Sequence, residues 1–306
     1  MTMRASPSSR TIAAAALAAS LACGSGGSSG PTVPDHQASA EAAAKLAGIG
    51  DSIMQGMDVT ALFQDQVGYS FAQGTSGPVF SLYSRYKLVS GLPGGEEFAS
   101  VSGSTMIGDA SAQASEICNQ PALPNRVVIL LGANDLCNAS TASDFPSVAT
   151  FRAALQGALD ELAGCLPPGS WVHVLSVPRV DLLYQAVQGK QESAYSVPCP
   201  KFLAVTGICT IAGEDPTALE TQVNAYNDGI QTEVAAAHDA YVTAKGIEFT
   251  TDWSGATANT SIGTFTFSAD DVSSVDCFHP SAEGQRKLAC AAWESWEGVG
   301  DVAACL

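Results

Sequence analysis

Val127-Val128-Ile129-Leu130-Leu131 runs directly into Gly132-Ala133-Asn134-Asp135. A short unbroken apolar run of branched residues, closed by a glycine, reads as a strand buried on both faces. Such strands belong to parallel sheets covered by helices. Working outward, shorter runs of the same kind occur at Leu46-Ala47-Gly48-Ile49-Gly50, Phe98-Ala99-Ser100-Val101, Trp171-Val172-His173-Val174-Leu175 and Ile247-Glu248-Phe249. Helical patterns lie between them. Phe145 to Leu162 puts Val148, Phe151, Leu155, Leu159 and Leu162 on one face. Thr217 to Ala244 carries a second, and Ser281 to Trp296 a third, opened by Pro280 and Ser281. The alternation predicts an α/β fold with a central, mostly parallel five-stranded sheet. Residues 177–216 have no clear period and are expected to form a long insertion that partly covers the site.

The chain has 306 residues, with 13 Lys and Arg against 30 Asp and Glu. A surface this acidic repels phosphate backbones and anionic lipid, so nucleic acid is not an expected partner. The first residues read as an export signal. Arg4 and Arg10 are followed by an Ala-rich apolar stretch, Thr11 to Ala22, which is too short to anchor in a bilayer. Residues 1–22 are therefore assigned to a signal peptide, 23–40 to a Gly/Ser/Pro-rich tether and 41–306 to one folded domain. Cys23, followed by Gly24-Ser25-Gly26-Gly27, resembles the lipidated cysteine of a bacterial envelope lipoprotein; ordinary cleavage near Ala22 is the other reading. The chain has nine cysteines, and setting Cys23 aside leaves eight, an even number suited to disulfides in an oxidising compartment. Cys199–Cys209 is expected as a local staple. The expected location is the bacterial envelope, tethered to a membrane through Cys23, or the secreted fraction.

No His-Glu-x-x-His helix, Walker loop or Cys-x-x-Cys pair occurs, so no metal or nucleotide site is expected. The Gly-x-Ser-x-Gly match at Gly26 to Gly30 lies in the tether, where no strand and helix support it. Gly48-Ile49-Gly50-Asp51-Ser52 is different. It places a serine at the C-terminal end of a strand, before helix-compatible residues. Ligands bind at that edge of open α/β sheets, and a helix N-terminus there favours developing negative charge. A helix-capping serine would look the same.

A serine nucleophile needs a base, and the chain has four histidines. His36 lies in the tether, His173 in a strand as a core residue, and His238 on a helix. His279 alone has a carboxylate three residues upstream, in Asp276-Cys277-Phe278-His279-Pro280. In a tight loop that spacing can bring Asp276 to the far nitrogen of the ring, fixing its tautomer. Asn134 can donate from the edge of the sheet, and Gly103, in Ser102-Gly103-Ser104-Thr105, can bring a backbone N–H close to a substrate. With the Ser52 N–H they make three oxyanion donors.

The ordered set Gly50-Asp51-Ser52, Gly103, Gly132-Ala133-Asn134-Asp135 and Asp276-x-x-His279-Pro280 resembles the four blocks of the SGNH, or GDSL-type, hydrolases. The first block has Ile53 where Leu is usual, and the second lacks the common Asn before Gly103. The resemblance implies a flavodoxin-like, three-layer α/β/α sandwich and a serine esterase or lipase needing no metal or organic cofactor. It implies Ser52 as nucleophile and His279 as base, oriented by Asp276 or by backbone carbonyls. It implies Ser52, Gly103 and Asn134 as the oxyanion hole. Asn134-Asp135-Leu136-Cys137-Asn138 is similar to phospholipase-B-like members, which points to small-molecule or lipid esters as substrates. Two alternatives stand beside this: a carbohydrate O-acyl esterase of the same fold, and a surface lipoprotein that binds lipid or glycan without catalysis.

Overall fold

A computed structural model describes residues 40–257 and 261–298. The expected signal peptide, the expected tether up to residue 39 and Cys23 lie outside the described residues. Five strands, β1 (Leu46–Gly50), β2 (Glu96–Phe98), β3 (Arg126–Leu130), β4 (Trp171–Val174) and β5 (Glu248–Thr251), form one sheet in the order β2-β1-β3-β4-β5. Every pairing is parallel. This is the flavodoxin-like order, whose ligand crevice opens where the winding reverses, between β1 and β3.

The helices are α1 (Leu82–Val89), α2 (Met106–Cys118), α3 (Ala133–Cys137), α4 (Val148–Cys165), α5 (Leu183–Ala186), α6 (Cys199–Thr206), α7 (Ile211–Glu214), α8 (Pro216–Lys245) and α9 (Ala282–Glu297). Alternate residues of a strand face opposite sides of a sheet, and β3 serves both sides at once. Val127 and Ile129 join a core with Phe151 and Leu155 of α4, Ala110 and Ile117 of α2, and Val223 of α8. Val128 and Leu130 join a second core with Leu82 and Tyr86 of α1 and Leu288 and Trp296 of α9. Hence the unbroken apolar run: both faces of the strand are covered.

The second strand lies slightly upstream of the Phe98–Val101 expectation. Glu96 to Phe98 pairs with β1, and the chain then leaves regular pairing while Val101 N–H still donates to Gly50 O at 3.1 Å. Outside the 177–216 insertion, two helices of eight or more residues have no clear sequence signal. In α2 the inward face is Met106, Ala110, Ala114 and Ile117. Its helical spacing is present but carried largely by alanine, which contrasts weakly with the serines and glycine around it. Helix α1 buries only Leu82 and Tyr86.

The described bridges are Cys118–Cys165, Cys137–Cys209 and Cys199–Cys277, a set that suits an extracellular or periplasmic protein. The expected Cys199–Cys209 pair is therefore incorrect. Cys199 begins α6 and Cys209 lies beyond its C-terminal Gly207 cap. Seven helical steps of about 1.5 Å put roughly 10 Å between the ends of that helix, beyond the reach of a disulfide. No helix among the described residues is long and apolar enough to cross a membrane.

Candidate active site

Strand β1 ends at Gly50, and both backbone polar groups of that residue are bound by one side chain. Gln113 of α2 accepts from Gly50 N–H at 2.8 Å and donates to Gly50 O at 3.0 Å. The chain then turns through Asp51 and Ser52. After Ser52 comes a run of turns rather than the expected helix: Gln55 N–H bonds Asp51 O, Gly56 N–H bonds Ile53 O and Met57 N–H bonds Ser52 O. Gly56 stops it. Its φ is +63°, and a Cβ there would sit 2.7 Å from Gln66 O. The turn at Ser52 is instead fixed by side chains. Asp51 Oδ1 accepts from Ile53 N–H at 2.9 Å, and Gln285 of α9 donates to Ile53 O at 2.9 Å.

The last loop brings the other expected residues to the same point. Ser52 Oγ lies 2.7 Å from His279 Nε2, and His279 Nδ1 lies 2.5 Å from Asp276 Oδ2. Asp276 Oδ1 accepts from the N–H groups of Phe278 and His279 at 3.0 and 3.1 Å. Those bonds fold the three-residue spacing into a tight loop, with Cys277 between them at a left-handed φ of +61°. All three side chains are buried. The partners assign the tautomer: Nδ1–H faces the carboxylate, leaving Nε2 to accept from the serine hydroxyl. Burial alone would make His279 a weaker base. The hydrogen bond and charge of Asp276, with Asp58 and Asp51 nearby, outweigh it and raise its pKa.

Helix α3 supplies Asn134 from the end of β3. Gly132 makes that entry possible, with a φ of +121° and Val177 Cγ2 only 2.6 Å from where a Cβ would stand. Asn134 Nδ2 donates to Ser104 O at 2.9 Å and lies 3.5 Å from Asp51 Oδ2. Its neighbour Asp135 accepts from Met106 and Ile107 N–H at 2.7 and 3.1 Å, capping α2. Burial raises the pKa of Asp51 to about 7. Gly103 has a φ of +88° with open space where a side chain would be. It is exposed and does not line the cleft beside Ser52. Neither Ser52 N–H nor Gly103 N–H has a hydrogen-bond partner among the described residues.

That cleft is open to solvent, and its empty space, open mouth included, is about 580 Å³. Its floor is Asp51, Ser52, Asn134 and His279, and its walls include Ile53, Val180, Leu183, Phe267, Val272 and Phe278. Arg179 also faces it, but its guanidinium is forked onto Asp181 at 2.8 and 2.6 Å and reaches Glu220 at 2.9 Å. Its charge is already matched. Pro178 to Leu183 belong to the 177–216 insertion, so the expected cover forms one wall. Two bridges fasten this insertion to the segments that carry Asn134 and His279. Cys209 joins Cys137 on the helix of Asn134, and Cys199 joins Cys277 between Asp276 and His279.

The remaining described histidines lie elsewhere. His173 is buried between Thr250 Oγ1 at 2.8 Å and Ser295 Oγ at 3.1 Å, and burial lowers its pKa to about 3. It is a neutral core residue. His238 sits 3.2 Å from Glu248. Asp58, Asp276 and His279 form the one group of metal-ligand type with atoms within 4.8 Å of one another among the described residues. Both His279 nitrogens are engaged, by Ser52 and Asp276, so neither is open to an ion. Sequence reading does not single out Asp58, Gln113 or Gln285; each bonds a partner at the site that is distant along the chain, with no local motif.

Comparison with solved structures finds an acetyl xylan esterase, AlAXEase, at 14% identity and a TM-score of 0.40, covering 82% of this chain and 98% of that one. It also finds a protein described as a GDSL-like lipase from Parabacteroides merdae ATCC 43184, at 16% identity and a TM-score of 0.35, covering 84% of this chain and 96% of that one. No curated protein matches the sequence significantly. Residues 49–287 match the GDSL-like Lipase/Acylhydrolase family, a span that holds Ser52, Asn134, Asp276 and His279, and the chain belongs to that family of hydrolases acting on esters.

Proposed function

We propose that the protein cleaves carboxylic esters through an acyl-enzyme on Ser52. The observation that carries this reading is the hydrogen-bonded line Ser52 Oγ, His279 Nε2, His279 Nδ1, Asp276 Oδ2 at the floor of an apolar cleft. The serine hydroxyl gives its proton to Nε2 as Oγ attacks the ester carbonyl. Asp276 holds the ring and stabilises the imidazolium. The tetrahedral oxyanion is held by Ser52 N–H and Asn134 Nδ2, with Gly103 N–H completing the hole if substrate draws its exposed loop inward. Collapse expels the alcohol, which takes the proton from Nε2. Water, deprotonated by the same nitrogen, then attacks the acyl-serine and releases the acid. Each of these steps is carried by side chains and backbone N–H groups of this chain.

The walls of the cleft favour an uncharged, apolar acyl group, since Val180, Leu183, Phe267 and Phe278 offer it no polar partner and Arg179 is neutralised by its own carboxylates. The test pairs activity with labelling. Wild-type protein is expected to hydrolyse nitrophenyl acyl esters and to take up a fluorophosphonate at Ser52. Ser52→Ala is expected to lose both while unfolding at an unchanged temperature. Full activity in that variant refutes the mechanism. Measuring rates across acyl lengths, with acetylated sugars alongside, distinguishes a lipase-like from a carbohydrate-directed esterase.

A further inference from the structure

One buried carboxylate stands beside this machinery without a part in the steps of ester cleavage. Asp58 is 2% exposed, and its φ of +57° is left-handed. A carboxylate oxygen of Asp58, one of Asp276 and a ring nitrogen of His279 all lie within 4.8 Å of one another. The backbone of Asp58 is fixed to the same loop. Its carbonyl accepts from Ser273 Oγ at 2.6 Å, and that hydroxyl accepts from Val275 N–H at 3.0 Å. Ser273 N–H donates to His279 O at 2.8 Å, and Ser273 O accepts from Cys277 N–H at 3.1 Å.

The turn itself does not need the charge. Asp58 Oδ1 accepts from Gln64 N–H at 3.0 Å, and Asp58 N–H donates to Gln64 O at 3.0 Å. An asparagine would supply the same acceptor and tolerates left-handed backbone equally well. Burial, and then the neighbouring Asp276, push the Asp58 carboxyl above the usual carboxylate range. In return it offers a second negative charge facing the ring that becomes cationic during turnover. The charged groups acting on His279 are Asp276 on its own loop, Asp58 and Asp51 on the turns after β1, with Asp135 acting on Asp51 in turn. Arg179, across the cleft, is matched by Asp181 and Glu220.

We propose that Asp58 is a positioning residue that works through the Asp276–His279 pair, as a second carboxylate stabilising the imidazolium formed when His279 takes the Ser52 proton. This rests on the Ser52–His279–Asp276 mechanism. It is tested with Asp58→Asn, which keeps the turn acceptor and removes only the charge. The expected result is KM within about twofold of wild type, kcat lower by about tenfold, and the acid limb of kcat/KM moved down by about one pH unit. Asp239→Asn, an exposed change of equal charge on α8, is expected to leave the limb in place. If Asp58→Asn does not fold, Asp58→Gly, suited to the left-handed backbone but without the acceptor for Gln64 N–H, is read by the movement of the limb alone. A wild-type pH profile in the folded variant overturns the proposal, as does a fall in kcat with no movement of the limb, since both mean a purely structural turn residue. In either case fluorophosphonate labelling of Ser52 in wild type keeps the mechanism standing. Absence of that labelling removes the mechanism and this proposal together.

Discussion

The cleft has two halves built by different means. One half is the edge of the sheet. Ser52 comes after β1 and Asn134 after β3, and the parallel register that pairs Gly50 with Leu130 sets their strands side by side. The other half, the 177–216 insertion, has no sheet to place it. It is fastened by Cys137–Cys209 and Cys199–Cys277, by Ser193 N–H on Ser274 O at 2.7 Å, and by Lys190 Nζ on the carbonyls of Ala269 and Val272. Strand ends carry their residues in from the sheet, with Gln113 and Gln285 bracing the turn after β1. The insertion is positioned by contacts tens of residues away. Damage to the first half is therefore expected to remove chemistry, and damage to the second to loosen it.

The largest effect that sharpens this contrast falls on Asn134. Asn134→Ala removes the proposed oxyanion donor, and kcat is expected to fall by about 10²–10³, with KM little changed. Asn134→Asp is expected to fall further, because a carboxylate replaces a donor and faces the developing oxyanion and Asp51. Steady-state kinetics on a short acyl ester measures both, and equal activity in the two variants would mean that Asn134 only holds Ser104 O.

The same contrast explains what sequence could show. Gly50-Asp51-Ser52 and Gly132-Ala133-Asn134 are legible because each motif is continuous and sits at the end of an apolar run. Asp276 and His279 are legible because they stand three positions apart, a distance one loop can close through Asp276 Oδ1. Nothing local marks Gln113, which binds Gly50 from 63 residues away, or Asp58, whose carbonyl meets Ser273 across 215 residues. The disulfide expectation failed for the same reason. Proximity along the chain suggested Cys199–Cys209, whereas the helix between them turned each toward a different one of the segments that carry Asn134 and His279. The segment 177–216 has no period because its helices are short and each buries only a few residues, such as Phe202 and Leu203 of α6 and Ile211 and Ala212 of α7.

A smaller effect is expected from Cys199→Ser/Cys277→Ser. Cys277 lies between Asp276 and His279, so freeing it gives the base loop more room to move. The expected result is kcat lower by about tenfold at a temperature where the variant is fully folded, since misplacing a base by a fraction of an ångström already costs rate. Activity equal to wild type under those conditions would show that the loop is held by Ser273 and Asp58 alone.

The smallest effect on turnover belongs to Cys118→Ser/Cys165→Ser, and it serves as the measure for the others. Cys118 ends α2, whose opposite end is capped by Asp135 next to Asn134. Twelve helical steps of about 1.5 Å place that bridge roughly 18 Å from the cap. Closing a loop of 47 residues, against 78 for Cys199–Cys277, it restrains the unfolded chain to a similar degree, because closure entropy grows only with the logarithm of length. Each double variant is therefore expected to lose about 2–4 kcal/mol of stability, read as comparable falls in unfolding temperature. Only the Cys199–Cys277 variant should also lose kcat. Equal losses of kcat in both would mean that the bridges act on activity through global stability, and the distinction between a sheet-built half and a stapled half would fail.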